Sequence, residues 1–253
     1  MTAPRWQLED DLARLRFPRV QAELALAAPE GGLGRMSFGG SPVEGLRLLA
    51  LSSPTARKAS SARLVESFGR GGDLIARYAD WPEMAMQAQL AWRTASPSFG
   101  NVLAGVEMVI SVETSLLDSC PTMAIVSQVP AQTALNLPDQ SSDTFAHIDA
   151  TRGLAPTAAA GCYLFRLDNL RCSLVQAVHP VDAPTNRLEQ SPRSPGGEKT
   201  NYLLRHELFA AQLEKGVILR ARVLAALIER EADEAAAKAL YKAFLDQPLP
   251  LTA

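Results

Sequence analysis

The sequence predicts an α+β chain built mainly on antiparallel strands, a β-sandwich-like domain with helices gathered at its C-terminal end. Three observations predict it. Apolar residues recur with period two over many short runs before residue 180, turn-forming Gly, Pro, Asn and Asp punctuate those runs, and the period shifts toward that of a helix after residue 200. With 253 residues, 47% of them hydrophobic, the chain has enough apolar content for one large core. It reads as a single domain over 1–253, with a β-rich part at about 17–180, a loop at 180–200 and a helical part at 201–253.

Taken in order, residues 7–16 predict a short helix, because Leu8, Leu12 and Leu15 fall at i, i+4 and i+7 and Pro18 stops it. Val20 to Leu26 alternates as a strand. Leu33 to Phe38 follows the glycines at 31, 32 and 34, and Gly39-Gly40-Ser41-Pro42 turns the chain again. Leu46, Leu48 and Ala50 mark the next run. Residues 64–68 and 73–79 flank Gly69-Arg70-Gly71-Gly72 as a hairpin. Met84, Met86, Ala88, Leu90 and Trp92 alternate with Gln87, Gln89 and Arg93, which places Trp92 in the core. Val106, Met108, Ile110 and Val112 alternate with Glu107, Ser111 and Glu113.

Residues 123–129 form a further strand, and 130–160 read as a loop. A hairpin follows, with 162–167 facing 170–176 across Asp168-Asn169. In that register paired positions sum to 337, so Cys162 faces Val175 and Cys172 faces Phe165. Tyr163, Phe165, Leu167, Cys172 and Leu174 then share the core face, and Cys162 lies on the opposite face, so the two thiols cannot bridge. The odd total of three cysteines, with no C-x-x-C pair, agrees with free thiols.

Residues 180–200, rich in Pro and Gly, read as a second long loop. Residues 201–215 predict a helix ended by Gly216. Residues 217–228 suit a strand or a helix, with the alternation of Val217, Leu219, Ala221 and Val223 against Arg220 and Arg222 favouring a strand. Residues 230–246 predict the clearest helix, with acidic residues early and Lys238 and Lys242 late, as the helix dipole prefers.

Composition excludes several functions. With 25 basic and 27 acidic residues the net charge is −2, which offers no footprint for nucleic acid or an anionic membrane. The N-terminal residues turn acidic at Glu9-Asp10-Asp11, unlike a secretory signal, and the apolar run Val102–Val112 contains Glu107. The expected location is the cytoplasm.

No complete catalytic motif stands in the sequence. His206-Glu207 opens like H-E-x-x-H, but Ala210 occupies the second histidine position, and one ligand cannot hold zinc. The glycine clusters lack the Gly-Lys-Ser/Thr of a phosphate loop. Gly39-Gly40-Ser41 is followed by Pro42-Val43, so no nucleophile elbow forms. No metal and no cofactor are expected. His147 with Asp149 is a weak acid–base pair, and His179 with Asp182 at a strand end is a better one. Glu107 and Glu113 share a strand face but stand near 20 Å apart, too far for a carboxylate pair.

The residues therefore predict a non-catalytic binding or interaction protein for an unknown protein or small-molecule ligand. The rival is a carbohydrate-active enzyme, epimerase- or mutarotase-like or a hydrolase. Any small-molecule site is expected where the 69–73 turn, the strand end at 179–182 and the 130–160 loop converge. Its candidate ligand-binding residues are Arg70, Asp73, Trp81, His179 and Asp182.

Overall fold

The computed structural model describes residues 5–52, 63–81, 85–95, 101–148, 161–168, 170–191, 200–209 and 211–248, without the side chains of Asp80, Trp81 and Ser191. The chain opens with a five-stranded antiparallel meander in sequence order, β1 (Arg5–Glu9), β2 (Leu12–Arg16), β3 (Val20–Ala25), β4 (Gly34–Phe38) and β5 (Ser41–Pro42). Residues 7–16 are thus a hairpin and not the expected helix. Asp10 adopts φ 51°, a left-handed turn conformation that Asp tolerates, and Glu9 pairs with Leu12. The spacing of Leu8, Leu12 and Leu15 imitated a helix because it straddled that turn. Within each strand the apolar residues alternate, and Trp6 pairs with Leu15 and Leu8 with Ala13.

The remaining strands are β6 (Arg47–Ser52), β7 (Arg63–Arg70), β8 (Asp73–Trp81), β9 (Met86–Thr94), β10 (Val102–Thr114), β11 (Met123–Asn136), β12 (Ala146–His147), β13 (Cys162–Leu167), β14 (Cys172–Val178), β15 (Thr185–Ser191), β16 (Asn201–Leu208) and β17 (Ile218–Glu229), followed by α1 (Asp233–Asp246). They form one twelve-stranded sheet in the order β15-β16-β11-β13-β14-β17-β10-β9-β8-β7, with β6 and β12 each paired to β11 off this path. β11 serves two neighbourhoods. Its first part, Met123–Pro130, pairs with β16, and its end, from Ala131 on, pairs with β13 and β12. Pro130 sits at the changeover and needs no ladder donor there, while its carbonyl accepts from Asp168 N at 3.3 Å. For this reason β11 runs on to Asn136, through the start of the expected 130–160 loop.

Two further expectations are corrected. Residues 201–208 are a strand and not a helix: Tyr202, Leu204, His206 and Leu208 are buried in strict alternation with half-exposed neighbours. The helical pattern came from a window that ran past Phe209, whose φ of 60° ends the strand. Residues 185–191 of the expected 180–200 loop form β15 against β16. Residues 218–229 are a strand, and 233–246 are a helix as the sequence predicts.

The 162–176 hairpin pairs Cys162 with Ala177 and Phe165 with Leu174, two positions from the expected register. Arg230 Nη2 donates to the carbonyls of Leu167, Leu170 and Cys172, and so holds a longer turn than two residues. An even shift preserves side-chain faces. Tyr163, Phe165, Leu167, Cys172 and Leu174 therefore face the main core, while Cys162 faces a second core beneath α1 with Leu164, Val175, Ala177, Leu240 and Phe244. All three cysteines are free. The meander is tied to the main core by Tyr78, whose hydroxyl donates to Leu26 O at 2.8 Å.

Candidate functional site

Strand register lays out the outer face of β8, β9, β10 and β17 in rows. Asp73, Arg93, Glu107 and Leu224 pair across the four strands, and Ile75, Ala91, Val109 and Arg222 form the next row. A third row holds Arg77, Gln89, Ser111 and Arg220. α1 covers the β13–β14–β17 side of this face and leaves a cleft of about 420 Å³ where it meets the first row. Glu107, Arg93 and Asp73 line the cleft opposite Leu240, Ala243 and Phe244.

The charged side chains form a chain across the strands. Asp73 Oδ2 lies 3.5 Å from Arg93 Nε, Arg93 Nη1 lies 3.5 Å from Glu107 Oε2, and Glu107 Oε1 lies 3.5 Å from Arg222 Nη1. Arg222 is 3% exposed, and its guanidinium stacks on Phe244 at 4.8 Å from the ring centre. Burial pushes the Glu107 carboxyl above the usual carboxylate range, with the Asp73 charge adding to it, against the pull of Arg222 and Arg93. Burial also raises Asp73, which Arg93 opposes. Although Arg222 is within ion-pair distance, its geometry makes no hydrogen bond, so Glu107 Oε1 is buried without a hydrogen-bond partner. An orphaned buried acceptor on a cleft wall is a place for a ligand hydroxyl or a water.

The residues expected to form a site divide. Asp73 belongs to the charged chain. Asp182 is tied to the backbone of β17 and not to the charged side chains, since its Oδ2 accepts from Arg222 N at 3.0 Å. His179 follows β14, and its Nδ1 accepts from Val181 N at 3.3 Å. Arg70 is exposed on β7 opposite Asp73. Five strand steps separate β7 from β14 along the sheet, so no strand pairing sets Arg70 beside His179. Trp81 ends β8, and its side chain lies outside the described residues. Of the other histidines, His147 is exposed on β12, and Asp149 lies outside the described residues. His206 is fully buried with Nδ1 2.5 Å from Asn186 Oδ1. Among the described residues no group of three or more His, Cys, Asp or Glu is placed to hold a metal.

Arg93, Glu107 and Arg222 carry the site, and sequence reasoning did not assemble them. The sequence points to carboxylates as partners for Glu107, Glu113 on its own strand or Asp73, Asp118 and Asp182 elsewhere, whereas the groups against its oxygens are the guanidiniums of Arg93 on β9 and Arg222 on β17. The available signal was a charged residue placed mid-run in each of three apolar strands.

No family model matches the chain, and no curated protein matches its sequence. Solved structures do share its fold. A TPR-domain containing protein from Parabacteroides distasonis superposes with a TM-score of 0.64 at 9% identity, over 95% of this chain and 49% of that one. The present chain thus spans about half the length of that protein. A candidate aldose 1-epimerase from Escherichia coli K12 gives 0.57 at 10% identity over 90% of this chain and 99% of that one. A GalM/aldose epimerase homologue from C. elegans gives 0.51 at 9% identity, over 90% and 99%. The fold is the β-sandwich of aldose-epimerase-like proteins. No helix among the described residues is long and apolar enough to cross a membrane.

Proposed function

We propose that this chain is a non-catalytic binding protein for a neutral, polyhydroxylated small molecule, a sugar in the first instance, held in the cleft at Glu107. The observation that carries this reading is the unpartnered Oε1 of Glu107, buried beside a cleft of about 420 Å³. A sugar hydroxyl donating to that oxygen would satisfy it. Two carboxylates and two guanidiniums balance in charge, so the site supplies donors and acceptors without selecting an ion. Val102, Ala95 and Ala243 supply the partly apolar wall that a sugar ring needs. The folds it resembles include proteins described as aldose epimerases, which fits a sugar ligand. Glu107 has a guanidinium against each oxygen, which suits a fixed acceptor better than a group that exchanges protons.

A second reading, a carbohydrate-active enzyme, is favoured by one observation. Asp73 and Glu107 flank Arg93 on the cleft, and burial raises both carboxyls. Thermal-shift titration with a panel of mono- and disaccharides tests the binding reading. At least one sugar should raise the melting temperature of the protein, and Glu107→Gln should remove that shift while leaving the unliganded melting temperature in place. No shift with any sugar would overturn it. Anomer exchange of freshly dissolved α-glucose and α-galactose, followed by NMR, separates the readings: acceleration that Glu107→Gln abolishes would install the enzyme in place of the binder.

A further inference from the structure

We infer that the ligand of the Glu107 cleft is an oligosaccharide and not a monosaccharide, because a second polar groove continues the same face along the strands. This rests on the proposed sugar-binding reading. The groove, of about 180 Å³, is lined by Gln87, Gln89, Ser111, Glu113 and Arg220 with the half-exposed Ile218 at its edge. It is built from the same four strands as the cleft, two rows further on, so every lining side chain of the third row points to the side on which Asp73, Arg93 and Glu107 stand. Ser111 lies four residue steps beyond Glu107 along β10, about 13 Å at strand rise. One pyranose ring cannot reach both spaces, and a chain of a few rings can.

The chemistry of the second groove suits a saccharide. Amides at Gln87 and Gln89 each offer donor and acceptor together, which matches vicinal hydroxyls. Arg220 donates from Nε to Ser111 Oγ at 3.2 Å, and this bond fixes the two side chains against each other on the groove wall. Ile218 adds an apolar contact for a ring face. Between the two spaces Ile75, Ala91 and Val109 form a buried apolar cluster of their own, so a bound chain passes over a covered step and fills a subsite on either side.

Titration calorimetry with mono- to tetrasaccharides of the gluco, galacto, manno and xylo series tests this, together with NMR of the backbone amides. Affinity should climb with chain length, and amides of Gln89 and Ser111 should shift with the longer ligands only. The double variant Gln89→Ala, Ser111→Ala should weaken the longest ligand about tenfold and leave the monosaccharide unchanged. Equal affinity for mono- and tetrasaccharide, with the second groove unperturbed, overturns the inference and leaves the sugar-binding reading standing. Absence of binding by every member of all four series removes both.

Discussion

Arg166 on β13 grips Asp233 at the start of α1 through two parallel hydrogen bonds, Nε to Oδ2 and Nη2 to Oδ1, each 3.0 Å long. Ser173 adds a third, its hydroxyl donating to Asp233 Oδ2 at 2.7 Å. Burial alone would raise the Asp233 carboxyl, but the hydrogen bonds from Arg166 and Ser173 outweigh it and hold the group below the usual carboxylate range. A depressed carboxyl contributes stability that is present above its unfolded value and lost as pH falls through the folded one. Asp233→Ala should therefore cost about 3 kcal/mol near neutral pH, since it removes both Arg166 bonds and leaves the buried Ser173 hydroxyl without its acceptor, while Arg166 keeps its bond to Glu234. Urea unfolding checks it. A loss under about 1 kcal/mol would show that the clamp is dispensable for docking α1.

Arg222 is the buried cation of the candidate site. Arg222→Ala removes the guanidinium from Glu107 Oε1 and from the Phe244 ring, and should destabilise the protein by about 3 kcal/mol. It should also raise the Glu107 carboxyl further, by removing one of the two cations that lower it. Glu107→Gln should be close to neutral in stability, because burial already disfavours its charge. A larger cost for Glu107→Gln than for Arg222→Ala would contradict this ordering.

His206 makes a pH prediction. Asn186 Oδ1 is an acceptor, so the His206 Nδ1 carries the proton and donates to it, and the imidazole is neutral. Burial pushes the ring down to about 3. A folded value below the unfolded one near 6.5 means that the unfolded chain takes up the proton first. The stability is complete above about pH 6.5 and erodes by a few kcal/mol as the pH falls toward 3. His206→Gln, which keeps an N–H donor, should flatten the slope between pH 6.5 and 4. Nitrogen chemical shifts that show a charged His206 at pH 5 would refute the assignment.

Thiol reactivity separates the three cysteines. Burial pushes the Cys162 thiol up and holds Cys172 at about 11, while Cys120 is exposed. A chromogenic disulfide reagent should titrate one thiol in the native protein and three in denaturant. Two or more fast native thiols would contradict the burial of the 162–176 hairpin.

Gly161 leaves no room for a side chain. A Cβ there would stand 2.1 Å from Val178 O, and the Gly161 N–H donates to the Tyr241 hydroxyl oxygen at 3.2 Å. Gly161→Ala should cost at least about 2 kcal/mol in chemical denaturation, since backbone must move to admit the methyl group. A near-neutral result would mean that the 161–178 contact is loose in solution.

Local pattern alone determined most of the strands, the core face of the 162–176 hairpin and the helix at α1, because alternation and helix-end charge are written in consecutive residues. Trp92 and Cys172 are buried for reasons visible in their own runs. The tertiary structure decided what local pattern could not. Leu8, Leu12 and Leu15 fit a helix until Asp10 is seen to turn the chain, and residues 201–208 become a strand because β11 and β15 stand on either side to pair with them. The candidate site is the extreme case. Asp73, Arg93, Glu107 and Arg222 come from four strands between residues 73 and 229, and only sheet register sets them side by side. Sequence period tells which face a side chain takes, and partner strands decide whose charge it meets there.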